Sequence, residues 1–274
     1  MKTYRNYFQL LGLVAFSLFL STSCTKEDHQ DDPVDEYEFL IKLVSNAEFG
    51  DILVDQDNQS MYFFAGDVDG QSNCNGGCAD KWKAVTGDLY DLEVGYGLVK
   101  GDFGTITRTD GQKQITYKGW PLYYLSPESD SVLENPGQTL GDGLGGVFHI
   151  AKPDYTVLLG RQAVTEGGDP VLYLVDDRGV SLYLNNGDDE NVSNCNGGCA
   201  GVWPPFKYEA LVLPSSLNDY DFNSLDREDD LGPQMSFKGS PIYRFSQDEL
   251  QRGSVLGQGG GPNQTFFVVE PEVQ

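Results

Sequence analysis

The sequence is poor in the side chains on which most catalytic and nucleic-acid-binding proteins depend. It holds 2 histidines in 274 residues, and only His149 lies beyond the N-terminal region, so no acid–base dyad of histidines can be assembled. No serine stands in a Gly-x-Ser-x-Gly setting or close to a histidine, which removes the sequence basis for nucleophilic hydrolysis. Lysine and arginine number 18 against 42 acidic residues, a formal charge of −24, and a body this acidic repels phosphate backbones. Nucleic acid is therefore not expected as a partner. The longest apolar stretch, Leu10 to Leu20, is too short to span a bilayer. A sustained helical period of hydrophobic residues is also missing, apart from a single turn at Ala79 to Trp82.

Repetition is what the chain has in abundance. Ser72-Asn73-Cys74-Asn75-Gly76-Gly77-Cys78-Ala79 returns unchanged as Ser193-Asn194-Cys195-Asn196-Gly197-Gly198-Cys199-Ala200, 121 residues later, with Trp82 and Trp203 following at the same distance. A second marker runs at half that period: Tyr62-x-Phe64-x-x-Asp67, Tyr123-x-Leu125-x-x-Glu128, Tyr183-x-Asn185-x-x-Asp188 and Tyr243-x-Phe245-x-x-Asp248. Such regular recurrence marks a supersecondary unit that has been copied. In a strand, residues i and i+2 share a face, so Tyr62 with Phe64 and Tyr243 with Phe245 are core anchors. The acid at i+5 lies past the strand, where it can accept backbone N–H groups of the following turn. Ca²⁺ is the one cofactor these acids suggest, but it needs six or more converging oxygens and each repeat supplies one acid. Asp67-Val68-Asp69-Gly70 lacks the later ligands of a calcium loop.

The apolar patterning predicts strands at residues 39–44, 51–54, 60–64, 121–125 and 146–150 of the first copy, with a hairpin over 106–117 turning at Asp110-Gly111. The second copy repeats the order at 171–175, 180–184, 236–237, 241–245 and 266–269. Each copy then has six or seven strands. The fold class is all-β: two tandem homologous β-sandwich or small-barrel domains, residues 38–155 and 156–274, each of two halves of about 60 residues. A four-part propeller-like ring is the alternative.

The N-terminus reads as an export signal, with Lys2 and Arg5, the apolar stretch, and Ser21-Thr22-Ser23 before Cys24. Cys24 is the one cysteine outside the two pairs, and its position resembles the acylated cysteine of bacterial lipoproteins, so residues 1–24 are taken as a signal segment ending at the lipidated residue. Ser21 stands where Leu is usual, and a plain secretory signal cleaved near Ser23 is the alternative. Lys26, Glu27 and Asp28, at the head of an acidic tether over 25–37, resemble the signal that sends Bacteroidetes-type lipoproteins to the outer face of the outer membrane. The expected address is the outer membrane, lipid-anchored, with the body at the cell surface in water.

The tyrosine motif, the Cys-x-x-x-Cys-Ala segment leading to Trp203-Pro204-Pro205, and Asp110-Gly111-x-x-Gln114-x-Thr116-Tyr117-x-Gly119-x-Pro121-Leu122-Tyr123 together are similar to a predicted lipoprotein family with a Yx(FWY)xxD motif, also called secreted repeats of unknown function. The resemblance covers residues 47–152 and about 170–269. Departures are Trp82-Lys83-Ala84 in place of Trp-Pro-Pro, Glu128 for Asp, Asn185 for the aromatic, and Phe237 at the position of Tyr117. The resemblance implies an exported repeat with no established activity.

Cys74 with Cys78, and Cys195 with Cys199, sit four apart around Asn-Gly-Gly in an exported chain, which reads as two small disulfides; a redox or copper-binding dithiol is the alternative. His149 aligns with Val268 in the second copy and reads as a strand-embedded imidazole. The glycine-rich loops at 141–146 and 257–261 lack the strand–loop–helix context of a phosphate cradle. The functional expectation is a non-enzymatic binding or envelope module for a protein or glycan partner, with a redox accessory protein or a divalent-cation-binding surface protein as alternatives.

Overall fold

The computed structural model of the chain describes residues 39–273, which belong to one compact unit, and the fold is all-β. Cys24, Lys26, Glu27, Asp28 and the tether lie outside the described residues. The first copy contributes β1 (Phe39–Asn46), β2 (Gly50–Asp55), β3 (Tyr62–Phe64), the short helix α1 (Gly77–Lys81), β4 (Trp82–Ala84), β5 (Leu92–Val94), β6 (Phe103–Thr107), β7 (Lys113–Tyr117), β8 (Trp120–Pro121), β9 (Tyr123–Leu125) and β10 (Phe148–Ile150). The second contributes β11 (Val157–Ala163), β12 (Pro170–Asp176), β13 (Tyr183–Asn185), α2 (Gly198–Val202), β14 (Phe222–Leu225), β15 (Gln234–Phe237), β16 (Ser240–Tyr243) and β17 (Phe266–Val268).

Each half opens with an antiparallel hairpin and passes into a short strand bearing the motif tyrosine. The pairs β1–β2, β6–β7, β11–β12 and β14–β15 are the four hairpins. The turn between β6 and β7 is closed by Gly111 N–H on the Arg108 carbonyl, with Gly111 at φ +85°, a conformation that favours glycine. Lys118-Gly119 and Lys238-Gly239 both take two successive positive φ values, the two-residue turn that matches the twist of the strands it joins. Motif strands of the two halves then pair antiparallel, bringing Tyr62 opposite Tyr123 and Tyr183 opposite Tyr243.

The sheets are open. Their orders are β2-β1-β5, β10-β3-β9-β4, β6-β7-β8, β11-β12 and β14-β15-β16-β13-β17, and among the described residues no sheet closes into a barrel, so the small-barrel form of the expected fold is set aside. The second copy joins into one five-stranded sheet what the first divides between two, because β16 runs unbroken where β8 and β9 are interrupted at Leu122.

The expected division after residue 155 falls between β10 and β11, and one apolar core extends across it, taking Ile41, Phe63, Val68 and Trp120 together with Leu158, Tyr173, Val175 and Tyr243. At Gly160 of β11 a Cβ atom would lie 2.8 Å from Val68 Cγ2. Arg252 ties the copies further. It donates from Nε to Val68 O (3.0 Å) and from Nη1 to Lys118 O (3.1 Å), and its guanidinium lies 4.6 Å from the centre of the Trp120 ring. Gly119 is required there, since a Cβ would come within 2.1 Å of Nη1. Burial lowers the pKa of Arg252 to about 10, so the group stays charged at neutral pH.

Replacing Arg252 with Ala strands two carbonyls and uncovers Trp120. The expected result is a loss of about 2–4 kcal/mol in urea unfolding, with Arg252→Lys recovering less than half of it because an ammonium cannot reproduce the planar fork. An Arg252→Ala protein as stable as the wild type would show that the crossing contact is dispensable.

Candidate binding site

The motif residues are brought together by exchange between halves. All four tyrosines are fully buried, and each phenol donates to a carboxylate that follows the other tyrosine of its pair. Tyr123 OH donates to Asp67 Oδ2 (2.6 Å), Tyr243 to Asp188 Oδ2 (2.6 Å) and Tyr183 to Asp248 Oδ2 (2.7 Å). The second carboxylate oxygen accepts backbone N–H groups of the turn beyond: Asn73 on Asp67 (2.7 Å), Asn194 on Asp188 (2.8 Å) and Leu256 on Asp248 (3.0 Å). Burial drives the Asp67 pKa up to about 7, against the hydrogen bonds from Tyr123 and Asn73, and burial likewise raises Asp188.

Tyr62 departs from the pattern of the other three, in which the acceptor is the motif acid five residues after the paired tyrosine. Its acceptor is Glu134, whose other oxygen takes the Leu140 N–H at 2.9 Å, while Glu128 is solvent-exposed and outside this network. The segment from Tyr123 to Gly141 is four residues longer than that from Tyr243 to Gly257, and the extra chain forms a turn at 127–131 that carries Glu128 outward. A return hydrogen bond from Glu134 N–H to Leu125 O (3.0 Å) then delivers the later acid to the phenol. Gly141 and Gly257 close the cages: each N–H points at its tyrosine oxygen, and a Cβ at either would lie 2.7 Å from the phenol ring.

Above each tyrosine pair stand three stacked rings. In the first copy Trp82 lies 3.7 Å from Phe148, which stacks on Phe64 at 4.4 Å; in the second Trp203 lies 3.7 Å from Phe266 and 4.3 Å from Phe245. The third ring has changed sides. Leu125 faces Trp82 where Phe245 flanks Trp203, and Asn185 faces Phe266 where Phe64 flanks Phe148. Asn185 instead donates to Asp188 Oδ1 at 2.9 Å.

Two disulfides, Cys74–Cys78 and Cys195–Cys199, close the repeated loops, with Cα–Cα separations of 5.2 Å. Cys74 and Cys195 are buried, and their partners are half-buried at the start of α1 and α2. Each loop is braced by an arginine that the sequence reading passed over. Arg108 donates to Cys74 O (3.1 Å), Gln114 Oε1 (2.9 Å) and Ser72 Oγ. Arg227 donates to Cys195 O (2.7 Å), Ser193 Oγ (2.6 Å) and Gln234 Oε1, and also grips Asp229 with two nitrogens at 2.8 and 2.5 Å. Arg108-x-Asp110 and Arg227-x-Asp229, with a glutamine following each, recur 119 residues apart, two short of the cysteine-loop spacing, and that near-repeat is the signal that could have found them.

Two hollows adjoin the second loop. One, of about 390 Å³, lies between Asn191–Asn196 and Asp226–Asp229 and is lined by amide and carboxylate side chains with Arg227. The other, of about 610 Å³, is floored by Gly197, Ala200, Gly201, Pro204, Pro205 and Leu231 and edged by Lys207, Asp229 and Asp230. Lys207 is held along that edge by its bond to the Leu231 carbonyl. Among the described residues no three His, Cys, Asp or Glu side chains converge to hold a metal ion, and no helix is long and apolar enough to cross a membrane.

His149 stands in neither hollow. It lies opposite Phe63 in the sheet, 1% exposed, with both ring nitrogens unpartnered. Its counterpart by register is Phe267 and not Val268, because Ile150 and Val268 are the residues that face Tyr62 and Tyr183. Burial lowers the His149 pKa from 6.5 to about 4, with Asp142 opposing, so the ring is neutral at physiological pH.

Two outcomes follow for stability. Glu134→Leu leaves a buried phenol unpaired and is expected to cost about 1–3 kcal/mol in urea unfolding, whereas Glu128→Ala stays within about 0.5 kcal/mol; equal losses would refute the assignment of Glu134 to Tyr62. For His149, the unfolded chain binds a proton below pH 6.5 and the folded chain only below about 4, so this group's contribution falls as pH drops through that window, by about 3 kcal/mol in all. Asp67, raised in the folded state, acts with opposite sign there but equally in both proteins. His149→Leu should therefore gain stability over wild type progressively between pH 6.5 and 4, and a constant difference across that range would contradict a neutral buried ring.

Three segments, residues 44–86, 104–152 and 173–207, match the model of a family described as a secreted repeat of unknown function. No curated protein and no solved structure matches the chain. Each matched segment holds one motif tyrosine and the strand that carries it, so the family's repeat is the half of a copy and not the whole copy. By that match the chain carries three repeats of the family described as secreted repeats of unknown function.

Proposed function

We propose that the protein is a lipid-anchored binding module of the outer membrane that acts without chemistry, offering loops at the cell surface to a partner. The observation that carries this reading is the pair of adjoining hollows beside the Cys195–Cys199 loop, open to solvent and held by a fully hydrogen-bonded arginine. Clefts of several hundred Å³ with a few placed polar groups are where proteins take ligands. The only histidine of the described residues is buried away from both, and the carboxylates with raised pKa values are committed to buried phenols. An arrangement with fixed walls and no free acid–base pair suits recognition better than turnover.

The address rests on Cys24 and on the three charged residues Lys26, Glu27 and Asp28. Two acyl chains hold a protein stably where one does so weakly, so the anchor suffices without a membrane-crossing segment. In cells expressing the full chain, Cys24→Ala is expected to shift the protein from the membrane to the soluble fraction. Lys26, Glu27 and Asp28 changed together to Ala should leave it membrane-bound but protected from external protease. Thiol labelling of the freshly isolated protein should find none of the four loop cysteines free. Membrane retention of the Cys24→Ala protein would sink the lipid anchor, and free loop thiols would favour a redox accessory role over binding.

A further inference from the structure

The groove edged by Asp229 and Asp230 differs from its counterpart in the first copy in a way that indicates an occupant. Pro204 and Pro205 stand where the first copy has Lys83 and Ala84. Lys83 there folds back over α1, its ammonium donating to Ala79 O at 3.2 Å. Ala79 corresponds to Ala200, which lines the groove of the second copy. A basic side chain of the protein itself thus covers in the first copy the place that the second copy leaves open.

The surroundings fit the same chemistry. Val192 and Val202 flank the loop and Leu231 lines the groove, each 38–43% exposed, so apolar surface is there for a partner's side chain to cover. Carboxylates gather beside it: Asp230 at the groove and Asp226 with Glu228 in the neighbouring hollow, on a chain whose formal charge is −24. Asp229 is paired with Arg227, and the one remaining cation, Lys207, stands against three further carboxylates, Asp226, Glu228 and Asp230, so the local field stays negative. No aromatic ring lines either hollow, which removes the flat face on which a sugar ring would stack. Resting on the binding-module reading above, we propose that this groove docks an extended segment of a partner protein carrying an apolar residue next to a lysine or arginine. The apolar side chain lies on Pro204, Pro205 and Leu231, and the cation reaches Asp230 as the Lys83 ammonium reaches over α1 in the first copy.

The test uses the detergent-solubilised full chain and fluorescence anisotropy with three labelled probes: a peptide of alternating leucine and arginine, its leucine–glutamate counterpart, and a neutral glucan oligosaccharide. The leucine–arginine peptide is expected to bind, more weakly as salt rises. Pro204→Lys, which restores the first copy's lysine, should weaken it by about tenfold and Asp230→Asn by severalfold, while Asp91→Asn, an equal charge change in the first copy, leaves affinity unchanged. Melting temperatures of the variants establish that each is folded. Equal binding by wild type and Pro204→Lys would overturn the groove as the docking site. Binding of the glucan or of the acidic peptide that is lost in Pro204→Lys would overturn the partner class while leaving the binding module standing. If none of the three probes binds the folded protein, the proposal falls, and with it the placement of the module's site at this loop.

Discussion

A buried phenol must find an acceptor for its hydroxyl, and for the four motif tyrosines the acceptor never comes from the same half. Tyr123 and Tyr243 reach back to Asp67 and Asp188, and Tyr62 and Tyr183 reach forward to Glu134 and Asp248. An isolated half of about 60 residues would therefore bury a tyrosine hydroxyl without an acceptor and one carboxylate oxygen without a donor, each costing about 1–3 kcal/mol. Two halves satisfy one another. The pair of halves is the smallest unit with its polar groups matched, which accounts for the spacing of 121 residues at which the cysteine loop returns: one loop serves one matched pair.

The same requirement explains which positions have been free to drift. The third stacked ring can come from Phe64 or from Phe245, because Phe148 and Trp203 each present an open face and either side suffices. The acid can be Asp248, placed at once by the short turn Ser246–Asp248, or Glu134, brought back after a longer excursion, because the phenol requires an oxygen at a point in space and not at a point in sequence. Gly141 and Gly257 have no such freedom, since any side chain would enter the ring it covers.

Much of this was legible beforehand. Tyrosines at half the copy period, glycines at hairpin turns and cysteines spaced for a small ring each act through local geometry, so pattern and turn chemistry locate them, and strands, turns and disulfides follow. What escaped acts over distance. Nothing near Glu128 in the sequence says that a loop of four extra residues will exchange it for Glu134. Arg252 occupies the place that Pro136 has in the first copy, as the matching bonds of Gly137 and Gly253 to the turns at Asn58 and Gly179 show, so the repeat itself hides a residue that helps to join the copies. Arg108 and Arg227 resemble surface hairpin charges until the fold sets a cysteine-loop carbonyl against each guanidinium.

The two copies keep their scaffold and diverge in what the scaffold presents. In the first, Thr109 Oγ1 meets Asn75 Oδ1 at 3.2 Å, drawing the hairpin turn onto the cysteine loop, and Lys83 lies over α1. In the second, Glu228 replaces that threonine and Pro204 that lysine, and hollows stand where the first copy has these contacts. Neither substitution touches a phenol, a carboxylate or a stacked ring, so neither carries a penalty in the core. Duplication has separated the residues that hold the fold from those that shape the surface. The second copy's loop opens above a core that it shares with the first copy and that Arg252 helps to join, so its surface can change while that core stays packed.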